Sequence, residues 1–424
     1  MLNSILVLKS IIFFLLVINS ASASILVVAP HPDDDVLMAS GVISNAISNG
    51  EAVTVVFMTN GDIYGVESGL MRQDEAVTAL ALLGTTENNL IFLGYPDGHL
   101  EEIFDNFIDL SDVFITPFGQ STTYGVRGLG GVDYHTYWTG APATYNRQNI
   151  INDLAHLIST YRPDHILTAS EYDTHPDHAT TYQLLTMAIT EVSTLAGDYE
   201  PTIHKTIIRS TAPTEWPLPL DPTTYHVEPP DLDLTDLQWD QRESLDVPLE
   251  MQATDLQVNT KYQAISAHES QMDLYGGFLV RFVHKDEIFW LENLIGSNQP
   301  PVVHAGFDIY AAEGSIVTLD GSRSLDSDGD PLSYQWIQTG GSAVSLSGAS
   351  TAQAMFTAPS GSNETLTFQL TVGDGQFTSL PDLVNVVVQG QNRALNQPAS
   401  ASSVEGSLSQ FDPMMAVDGD GLTR

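Results

Sequence analysis

Hydrophobic and polar positions recur with two different periods along residues 25–294. Short apolar runs predict buried strands at residues 25–29, 52–58, 90–93 and 165–168. Segments with a helical period predict helices at residues 36–49, 70–83, 150–161 and 180–189. Gly50 and Gly84 end the first two helices, and Pro163 ends the third. Strands that alternate with helices favour an α/β fold, a Rossmann-like, mostly parallel sheet with flanking helices.

Two segments interrupt this pattern. Residues 119–146 have no period, are rich in glycine and contain several aromatic residues, so we predict a long loop there. Its aromatic faces either stack on sugar rings or pack against one another within an ordered insertion. Residues 213–251 are rich in proline and acid, and the sequence predicts no definite element there.

The pattern changes again after residue 296. Short β-branched runs, separated by Gly, Ser, Asp and Asn turns, predict strands at residues 315–319, 334–337, 366–372 and 384–388. This spacing is typical of a small antiparallel sandwich, so we predict a C-terminal all-β immunoglobulin-like module. Residues 392–424 are too few to bury a core of their own and suggest the start of a further domain.

Composition and charge limit the classes of molecule that the protein is expected to bind. The 424 residues suggest about three domains. The 14 Lys and Arg stand against 53 Asp and Glu, a net charge of −39, which disfavours nucleic acid and anionic membrane surfaces. Neutral sugars, cations and divalent metals remain plausible ligands. The chain has no cysteine, so any metal must be held by His, Asp or Glu.

The first residues have the features of a signal peptide. Lys9 precedes an apolar run at residues 11–18, and small residues follow at 21–23. A buried first strand and a membrane anchor are the alternatives, but the run is shorter than the roughly 20 apolar residues of a membrane span. We therefore predict a secreted, periplasmic or extracellular protein without a membrane span, whose mature chain begins near Ser24.

The first candidate for chemistry lies at residues 29–35, where the first predicted strand ends. His31 is followed there by Asp33, Asp34 and Asp35. Three carboxylates on one turn repel one another unless a cation lies among them, so the cluster favours a metal site. Capping of the next helix is the alternative, but a cap requires only one acid.

A second cluster occupies an equivalent place. Residues 171–178 follow the strand at 165–168 and include His175, Asp177 and His178. Ligands of open α/β sheets bind at the carboxyl ends of the strands. We therefore expect both clusters to meet at that edge of the sheet.

The two clusters resemble motifs of a known family. P-H-P-D-D at residues 30–34 and H-P-D-H at 175–178 are similar to the PIG-L or LmbE-like zinc-dependent de-N-acetylases, which remove acetyl groups from N-acetylglucosamine-type substrates. The resemblance spans about residues 25–294. Further matching pieces follow in the family's order at residues 59–62, Arg72, Glu75, residues 93–98, Lys261 and residues 268–271.

The resemblance implies roles for five residues. His31, Asp34 and His178 would bind one Zn²⁺, with Fe²⁺ as an alternative, and leave one coordination position open, as catalytic zinc sites do. Asp33 would be the general base. His175 would stabilise the oxyanion or protonate the leaving amine.

Other motif positions have less definite roles. Arg72 and Asp97 match positions near the family's substrate pocket and would contact sugar hydroxyls, with a salt bridge or a turn cap as the alternatives. Asp177 would orient a histidine or cap a helix. Asp35 stands where the family usually has Glu, one methylene longer, so its reach is reduced. His268 has no definite role beyond shaping the pocket.

The C-terminal segments also resemble known modules. Residues 300–390 resemble a PKD-type module, a spacer or adhesion element in which Trp336 would anchor the core. The acids at residues 326–330 would hold Ca²⁺ or form an exposed turn. Residues 392–424 resemble the beginning of a discoidin or coagulation-factor type C domain, often a carbohydrate binder.

These observations predict a four-part chain: a signal peptide at 1–23, a deacetylase domain at 24–296, a PKD-type module at 300–390 and a discoidin-like start at 392–424. The predicted function is secreted, metal-dependent removal of N-acetyl groups from an N-acetylglucosamine-type sugar, a polysaccharide or a cell-surface glycan. The alternatives are a non-catalytic glycan-binding or adhesion protein and a zinc amidohydrolase of the same fold that acts on a non-sugar amide.

Overall fold

The computed structural model describes residues 24–389 except for residues 198, 297, 361 and 362. The predicted signal peptide at 1–23 and the predicted discoidin-like segment at 392–424 lie outside the described residues. Within them, no helix is both long and apolar enough to span a lipid bilayer.

Thirteen strands and eight α-helices make up the described residues. The strands are β1 (Ser24–Ala29), β2 (Ala52–Thr59), β3 (Leu90–Tyr95), β4 (His165–Ala169), β5 (Thr202–Thr206), β6 (Glu243–Asp246), β7 (Asp286–Glu292), β8 (Ile309–Ala312), β9 (Ile316–Asp320), β10 (Ser333–Gly340), β11 (Gln353–Thr357), β12 (Glu364–Gly373) and β13 (Asp382–Gln389). The helices are α1 (Asp34–Ser48), α2 (Val66–Leu82), α3 (Leu100–Asn106), α4 (Tyr134–Thr139), α5 (Arg147–Tyr161), α6 (Pro176–Ala196), α7 (Thr260–Ser266) and α8 (Glu269–Leu279).

The first seven strands form one sheet in the order β3-β2-β1-β4-β5-β7-β6. The first five strands in this order are parallel, β7 is antiparallel to β5, and β6 is antiparallel to β7. Alternate side chains of β1 enter two separate apolar clusters, Ile25 and Val27 on one face and Leu26 and Val28 on the other. The predicted mostly parallel α/β sheet, buried on both faces, is confirmed.

The register of β1 and β4 places the two motif clusters side by side. These strands pair in parallel from Ile25 opposite His165 to Val28 opposite Thr168. The chain leaves β1 at Ala29 and enters α1 at Asp34, while it leaves β4 at Ala169 and enters α6 at Pro176. Both loops therefore emerge at the carboxyl edge of the sheet, as expected.

The segment at residues 119–146 is an ordered insertion. It contains α4, and a β-bridge joins Thr122 to Thr144. Tyr134 and Tyr145 are buried, and the ring of Trp138 stacks on His156 with centroids 4.3 Å apart. Tyr137 and Trp138 keep exposed faces. The insertion is nevertheless ordered and packs its own aromatic side chains, which corresponds to the second of the two alternatives.

The C-terminal strands form a four-stranded sheet, β10-β12-β13-β8, and a two-stranded sheet, β11-β9. Trp336 is buried in their core, as expected. The strand β8 pairs in parallel with β13, so the module is not wholly antiparallel. The all-β character of this region is confirmed.

The two regions pack against each other through Asp382 at the start of β13. Its carboxylate accepts hydrogen bonds from the backbone N–H groups of Ala305, Asp246 and Leu383, at 2.7, 3.1 and 2.8 Å. One apolar cluster also continues from Val247 beside the large sheet to Ala305 and the strands beyond. The edge strand β6 therefore borders the C-terminal module directly.

Candidate metal and catalytic site

A cavity of about 220 Å³ opens at the carboxyl edge of the parallel strands. Side chains from the loops after β1, β2, β3, β4 and β5 line it, together with one face of α8. The lining residues are His31, Asp33, Asp34, Leu37, Gly61, Ile63, Tyr64, Arg72, Asp97, Gly98, His175, His178, Ile208, Arg209, Gln271, Tyr275, Phe278 and Leu279.

Three of these side chains converge on one point. His31 Nδ1 lies 3.0 Å from Asp34 Oδ2, and His178 Nε2 lies 3.2 Å from both of those atoms. All three residues are buried. Two imidazole nitrogens and one carboxylate oxygen form a donor set that suits a zinc or ferrous ion, so the residues fit the metal that the sequence motifs predict.

The charges in this cluster favour a cation. Burial opposes a charge on His31 and His178, but the surrounding carboxylates outweigh it. They raise the pKa of His31 well above its ordinary value and that of His178 to about 10. Burial also opposes ionisation of Asp34, yet contacts with both histidines lower its pKa well below normal. The negative potential that attracts protons to the histidines also attracts a divalent cation, which would replace those protons.

The second nitrogen of His31 contacts two acids. His31 Nε2 lies 3.1 Å from Asp97 Oδ1 and 3.2 Å from Asp177 Oδ2. The Asp177 carboxylate is itself fixed by the backbone N–H groups of Gly98 and Leu100, at 2.6 and 3.0 Å. Asp177 thus holds the ring of His31, which agrees with the orienting role expected for it.

Asp173 has the equivalent place beside His178, and sequence reasoning gave it no role. Its Oδ1 lies 3.1 Å from His178 Nδ1. The same carboxylate accepts hydrogen bonds from the backbone N–H groups of His175, Ile208 and Arg209, at 2.9, 2.7 and 2.9 Å. Its position five residues before His178, in an acid-rich loop, was the available signal, but the contact depends on how that loop folds.

Asp33 has an unusual backbone conformation. Its φ of 148° is unfavourable for a residue with a side chain, and its carboxylate caps no helix N–H group. Asp33 Oδ1 instead accepts a hydrogen bond from Arg72 Nη2 at 2.9 Å, and its side chain lines the cavity. Burial raises the pKa of Asp33 to about 6, although Arg72 partly opposes that shift. Capping is therefore not the reason for this acid.

His175 immediately precedes α6 and lies next to His31 and His178, the two histidines among the candidate metal ligands. Its ring centroid lies 4.8 Å from that of His31 and 4.6 Å from that of His178. Burial and repulsion from these two rings lower the pKa of His175 to about 4. Its Nδ1 has no hydrogen-bond partner among the described residues. His175 is consequently a neutral imidazole that faces the cavity.

Arg72 and Asp97 line the cavity but are also partners of each other. Arg72 donates to Pro32 O at 2.9 Å and to Asp97 Oδ2 at 3.4 Å, in addition to Asp33. Burial opposes ionisation of Asp97, but His31 and Arg72 hold its pKa well below the usual range. The salt-bridge alternative is therefore present in the structure, and contact with substrate stays a prediction.

Several motif residues support the fold instead of lining the cavity. Asp35 is fully buried, and its two carboxylate oxygens have no well-formed hydrogen bond within the described residues. Lys261 Nζ pairs with Glu287 Oε1 at 2.7 Å. Ser270 donates its N–H and hydroxyl groups to Glu75, both at 2.7 Å, and thereby joins α8 to α2.

Two exposed tyrosines flank the cavity, and no pattern of residues in the chain pointed to them. Tyr64 is 63% exposed and Tyr275 is 45% exposed, and both line the cavity. One lies in the loop after β2 and the other on α8, far apart in the chain. Arg209 and Phe278 lie on the same rim, with the Arg209 guanidinium 6.0 Å from the phenyl centroid.

The chain matches two protein-family models. Residues 26–189 match the model described as PIG-L: GlcNAc-PI de-N-acetylase, and residues 305–388 match that described as K319L-like, PKD domain. These matches support a PIG-L de-N-acetylase domain followed by a PKD domain. Both sequence motifs, at residues 30–34 and 175–178, lie within the PIG-L match.

Three known proteins resemble parts of the chain, either over a short segment or at low sequence identity. Chitinase A of Pseudoalteromonas piscicida is 34% identical over 127 residues, which are 29% of this chain and only 15% of that enzyme. The N,N'-diacetylchitobiose deacetylase of Pyrococcus horikoshii is 18% identical, with 64% of this chain and 84% of that chain covered and a TM-score of 0.37. The PKD domain of the KIAA 1837 protein is 31% identical, with 23% and 92% covered and a TM-score of 0.19.

Proposed function

We propose that this protein is a secreted, metal-dependent hydrolase that removes the N-acetyl group from an N-acetylglucosamine-type sugar or glycoconjugate. The observation that supports the proposal most is the convergence of His31 Nδ1, Asp34 Oδ2 and His178 Nε2 within 3.2 Å in a cavity that Asp33 also lines. The PIG-L match over residues 26–189 supports the sugar de-N-acetylase class. Secretion is proposed from the sequence pattern at residues 1–23.

In this proposal His31, Asp34 and His178 hold the metal, Zn²⁺ or Fe²⁺. When bound, such an ion polarises a carbonyl group and lowers the pKa of water towards about 7. Asp33 takes a proton from the attacking water, because a carboxyl group with a pKa of about 6 is ionised at neutral pH yet remains a useful base. Arg72 holds that carboxylate in place through the 2.9 Å hydrogen bond.

His175 has two candidate roles, and its surroundings favour one of them. The His175 ring lies within 4.8 Å of the rings of both proposed histidine ligands, so it would lie beside a carbonyl group that the ion polarises. A neutral imidazole has one N–H group, which can donate a hydrogen bond to the oxyanion that develops from the amide carbonyl. We therefore assign His175 to oxyanion stabilisation.

The form of the cavity supports a neutral sugar as the substrate. Its volume of about 220 Å³ is small, and Tyr64 and Tyr275 present exposed rings at its rim, on which the apolar face of a pyranose can stack. The net charge of −39 disfavours a polyanionic substrate. Arg72 and Asp97 remain our candidates for contact with sugar hydroxyls.

Acetate release tests the proposal. The full mature chain is incubated with N-acetylglucosamine, its β-linked dimer and longer oligomers, before and after chelation and after return of Zn²⁺ or Fe²⁺. We expect release that chelation abolishes and one of the two metals restores. The Asp33→Asn variant, loaded with the same metal, serves as the inactive control.

Two outcomes would contradict the proposal and separate its alternatives. Release only from non-sugar amides, such as N-acetylated amino acids, would indicate an amidohydrolase of another specificity. Absence of bound metal at saturating Zn²⁺ and Fe²⁺, together with absence of release, would favour a non-catalytic glycan-binding protein.

A further inference from the structure

A second and larger cavity, of about 570 Å³, lies between the PIG-L domain and the PKD domain. Its walls come from residues 225–246 on one side and residues 302–325 on the other, with Asp382 beside them. It shares no lining residue with the cavity that contains Asp33. It is therefore a separate candidate site. It lies at the edge of the large sheet that β6 forms, and β3 forms the other edge.

Two arginines line this cavity without a carboxylate partner. The guanidinium of Arg242 lies 3.8 Å from the ring centroid of Trp239, and that of Arg323 lies 5.1 Å from the centroid of Phe307. Arg242 donates Nη1 to Trp239 O at 2.6 Å, while its Nε has no partner in the described part of the chain. Within those residues, neither guanidinium forms an ion pair.

Arg242 and Arg323 differ from several other cationic side chains of this acidic protein, because they share one cavity and neither is paired there. Acids outnumber Lys and Arg by 53 to 14, so a carboxylate is available near most surfaces. Five other cationic side chains, those of Arg72, Arg127, Lys205, Lys261 and Lys285, form ion pairs. Among the described residues Arg147, Arg209 and Arg281 form none, and they contact carbonyl groups or a ring instead. Two unpaired guanidiniums on facing walls repel each other, and an anion between them would remove that repulsion.

His304 adds a third donor. Its Nδ1 accepts a hydrogen bond from the N–H of Gly306 at 2.9 Å, which leaves the ring proton on Nε2. Burial, together with the charges of Arg323 and Arg242, lowers the pKa of His304 to about 4, so the ring is neutral. Its Nε2–H group has no acceptor among the described residues.

Two of the three acids that line this cavity, Asp246 and Asp382, already have partners. Asp246 Oδ2 lies 3.3 Å from Lys285 Nζ and accepts a hydrogen bond from Tyr225 at 3.3 Å. The Asp382 carboxylate accepts three backbone hydrogen bonds. Asp240 is exposed to solvent. Apart from the solvent-exposed Asp240, the lining groups that lack a partner among the described residues are thus hydrogen-bond donors, and those of Arg242 and Arg323 are positively charged.

We propose that this interdomain cavity binds an acidic sugar residue, whose carboxylate or sulfate ester lies between Arg242 and Arg323. A volume of about 570 Å³ is far larger than an inorganic anion needs. The rings of Tyr225, Trp239 and Phe307 provide apolar walls for a pyranose. The overall charge of −39 limits the ligand to a sparsely charged glycan, because a dense polyanion would be repelled.

Binding to the full mature chain, measured by titration calorimetry, tests the proposal. The probes are methyl β-glucuronide, methyl glucoside 6-sulfate, uncharged methyl glucoside, and sodium sulfate. We expect both acidic sugars to bind and methyl glucoside not to bind at the same concentrations. Arg323→Gln and Arg242→Gln should each weaken binding of the acidic sugars at least about tenfold, because a charge-assisted hydrogen bond is lost.

Arg281→Gln is the matched control. It removes one positive charge outside the cavity, where Arg281 donates only to the carbonyl groups of Pro213 and Thr214, and it should leave binding unchanged. Acetate release should be the same in all three variants. Arg323 is exposed, so the test remains valid even if Arg242→Gln fails to fold.

Four outcomes would overturn the proposal. Equal affinity for methyl glucoside would show that the cavity selects a neutral ring. Sodium sulfate that binds as tightly as the sugars would show a site for a free ion. Acidic-sugar affinities that neither cavity variant changes would place binding on another surface, and absence of heat with every probe would refute the site.

Discussion

Asp33 and Asp34 are adjacent in the sequence but occupy opposite electrostatic environments. Burial raises the pKa of Asp33 to about 6, whereas contacts with His178 and His31 overcome burial and lower that of Asp34. The positive φ of Asp33 turns the two side chains toward different partners, Arg72 for the first and the histidines for the second. Because their partners differ, substitutions at the two positions should have separable effects.

Asp33→Asn should retain metal and lose turnover. The amide has nearly the same shape as the carboxylate and its oxygen can still accept the hydrogen bond from Arg72, but it cannot take a proton. We expect kcat for acetate release to fall by about 10²- to 10⁴-fold, with one metal ion still bound per chain. Elemental mass spectrometry and acetate release measure the two quantities on the same sample.

The matched variant is Asp34→Asn, which should lose both metal and turnover because one proposed ligand oxygen is replaced by a weaker one. Turnover that survives in Asp33→Asn would show that another group is the base. Metal content that survives in Asp34→Asn would remove Asp34 from the ligand set.

Asp173→Asn should weaken metal binding more than it slows the metal-loaded enzyme. Asp173 Oδ1 lies 3.1 Å from His178 Nδ1 and orients that ring, and loss of such a partner typically costs about 10- to 100-fold in metal affinity. Competition with a chromophoric chelator measures the affinity, and kcat is measured at saturating metal.

Glu171→Gln is the control for that variant, because Glu171 lies in the same loop but pairs with Lys205 at 2.7 Å and contacts no histidine of the site. Its metal affinity should equal that of the unmodified protein. Thermal unfolding of both variants separates an effect on His178 from a general loss of the loop, since Asp173 also accepts three backbone hydrogen bonds.

The convergence of the candidate metal ligands, with Asp177 beside them, could be predicted from the sequence, but the contacts of Asp173 and Tyr275 could not. His31, Asp34 and His178 follow two adjacent parallel strands, so strand pairing alone brings their loops together. Asp173 and Tyr275 reach the site through the detailed path of a loop and the rotation of a short helix. No local sequence pattern predicts the path of that loop or the rotation of that helix.

At the scale of elements, the antiparallel edge of the large sheet contains a buried polar chain. His165 Nδ1 on β4 lies 3.0 Å from His204 Nε2 on β5, and His204 Nδ1 lies 2.8 Å from Glu243 Oε2 on β6. Burial raises the pKa of Glu243 to about 8 and lowers the pKa values of both histidines to about 3. The folded protein therefore keeps all three groups uncharged near pH 7.

Glu243→Gln should flatten the pH dependence of stability. Between pH 4.5 and about 8 the folded state keeps a proton on Glu243 that the unfolded chain releases, so the free energy of unfolding falls as pH rises. The slope contributed is at most about 1.4 kcal/mol per pH unit. Glutamine at position 243 removes this contribution to the slope and can still form a hydrogen bond with His204. Urea unfolding at four values between pH 6.5 and 8 measures the difference.

The two histidines set the lower limit of the pH range in which the unmodified protein and Glu243→Gln are best compared. Below pH 6.5 the unfolded chain protonates His165 and His204 while the folded state does not, so their contribution rises with pH and opposes that of Glu243. Asp382, with a pKa raised by burial to about 7, also contributes to the slope in this range, and the charge of Glu243 adds to its shift, so the variant changes both contributions in the same direction. Identical slopes in the two proteins would show that Glu243 is ionised in the folded state.

The elements that periodicity missed are short and depend on distant pairing. The strand β6 has four residues, only one of them a large apolar side chain, and it exists because it pairs with β7. The helix α4 has six residues within the glycine-rich insertion. Helix α2 begins at Val66, four residues before the predicted start, because its first turn contains polar residues outside the apolar period.

At the scale of the whole molecule, the α/β region and the C-terminal all-β region share their interior. Val247 and Ala305 belong to one apolar cluster, and β6 and β13 meet through the Asp382 carboxylate. The sequence predicted the two modules separately, from their different periods. It gave no sign of the shared core, because contact between domains leaves no period in either one. The PKD-type resemblance suggested that the C-terminal module is a spacer or adhesion element, and the structure shows that this module packs against the α/β region.

We therefore expect the two domains to unfold together, and Asp382→Ala to separate them. In scanning calorimetry the full mature chain should show one transition whose calorimetric and van't Hoff enthalpies agree. Alanine at 382 leaves three buried N–H groups without an acceptor, each at a cost of about 1–3 kcal/mol, so the junction should open first and give two transitions. Asp330→Ala, which removes an exposed acid of the same domain, should keep one transition. A single transition in Asp382→Ala would show that the apolar cluster alone couples the domains.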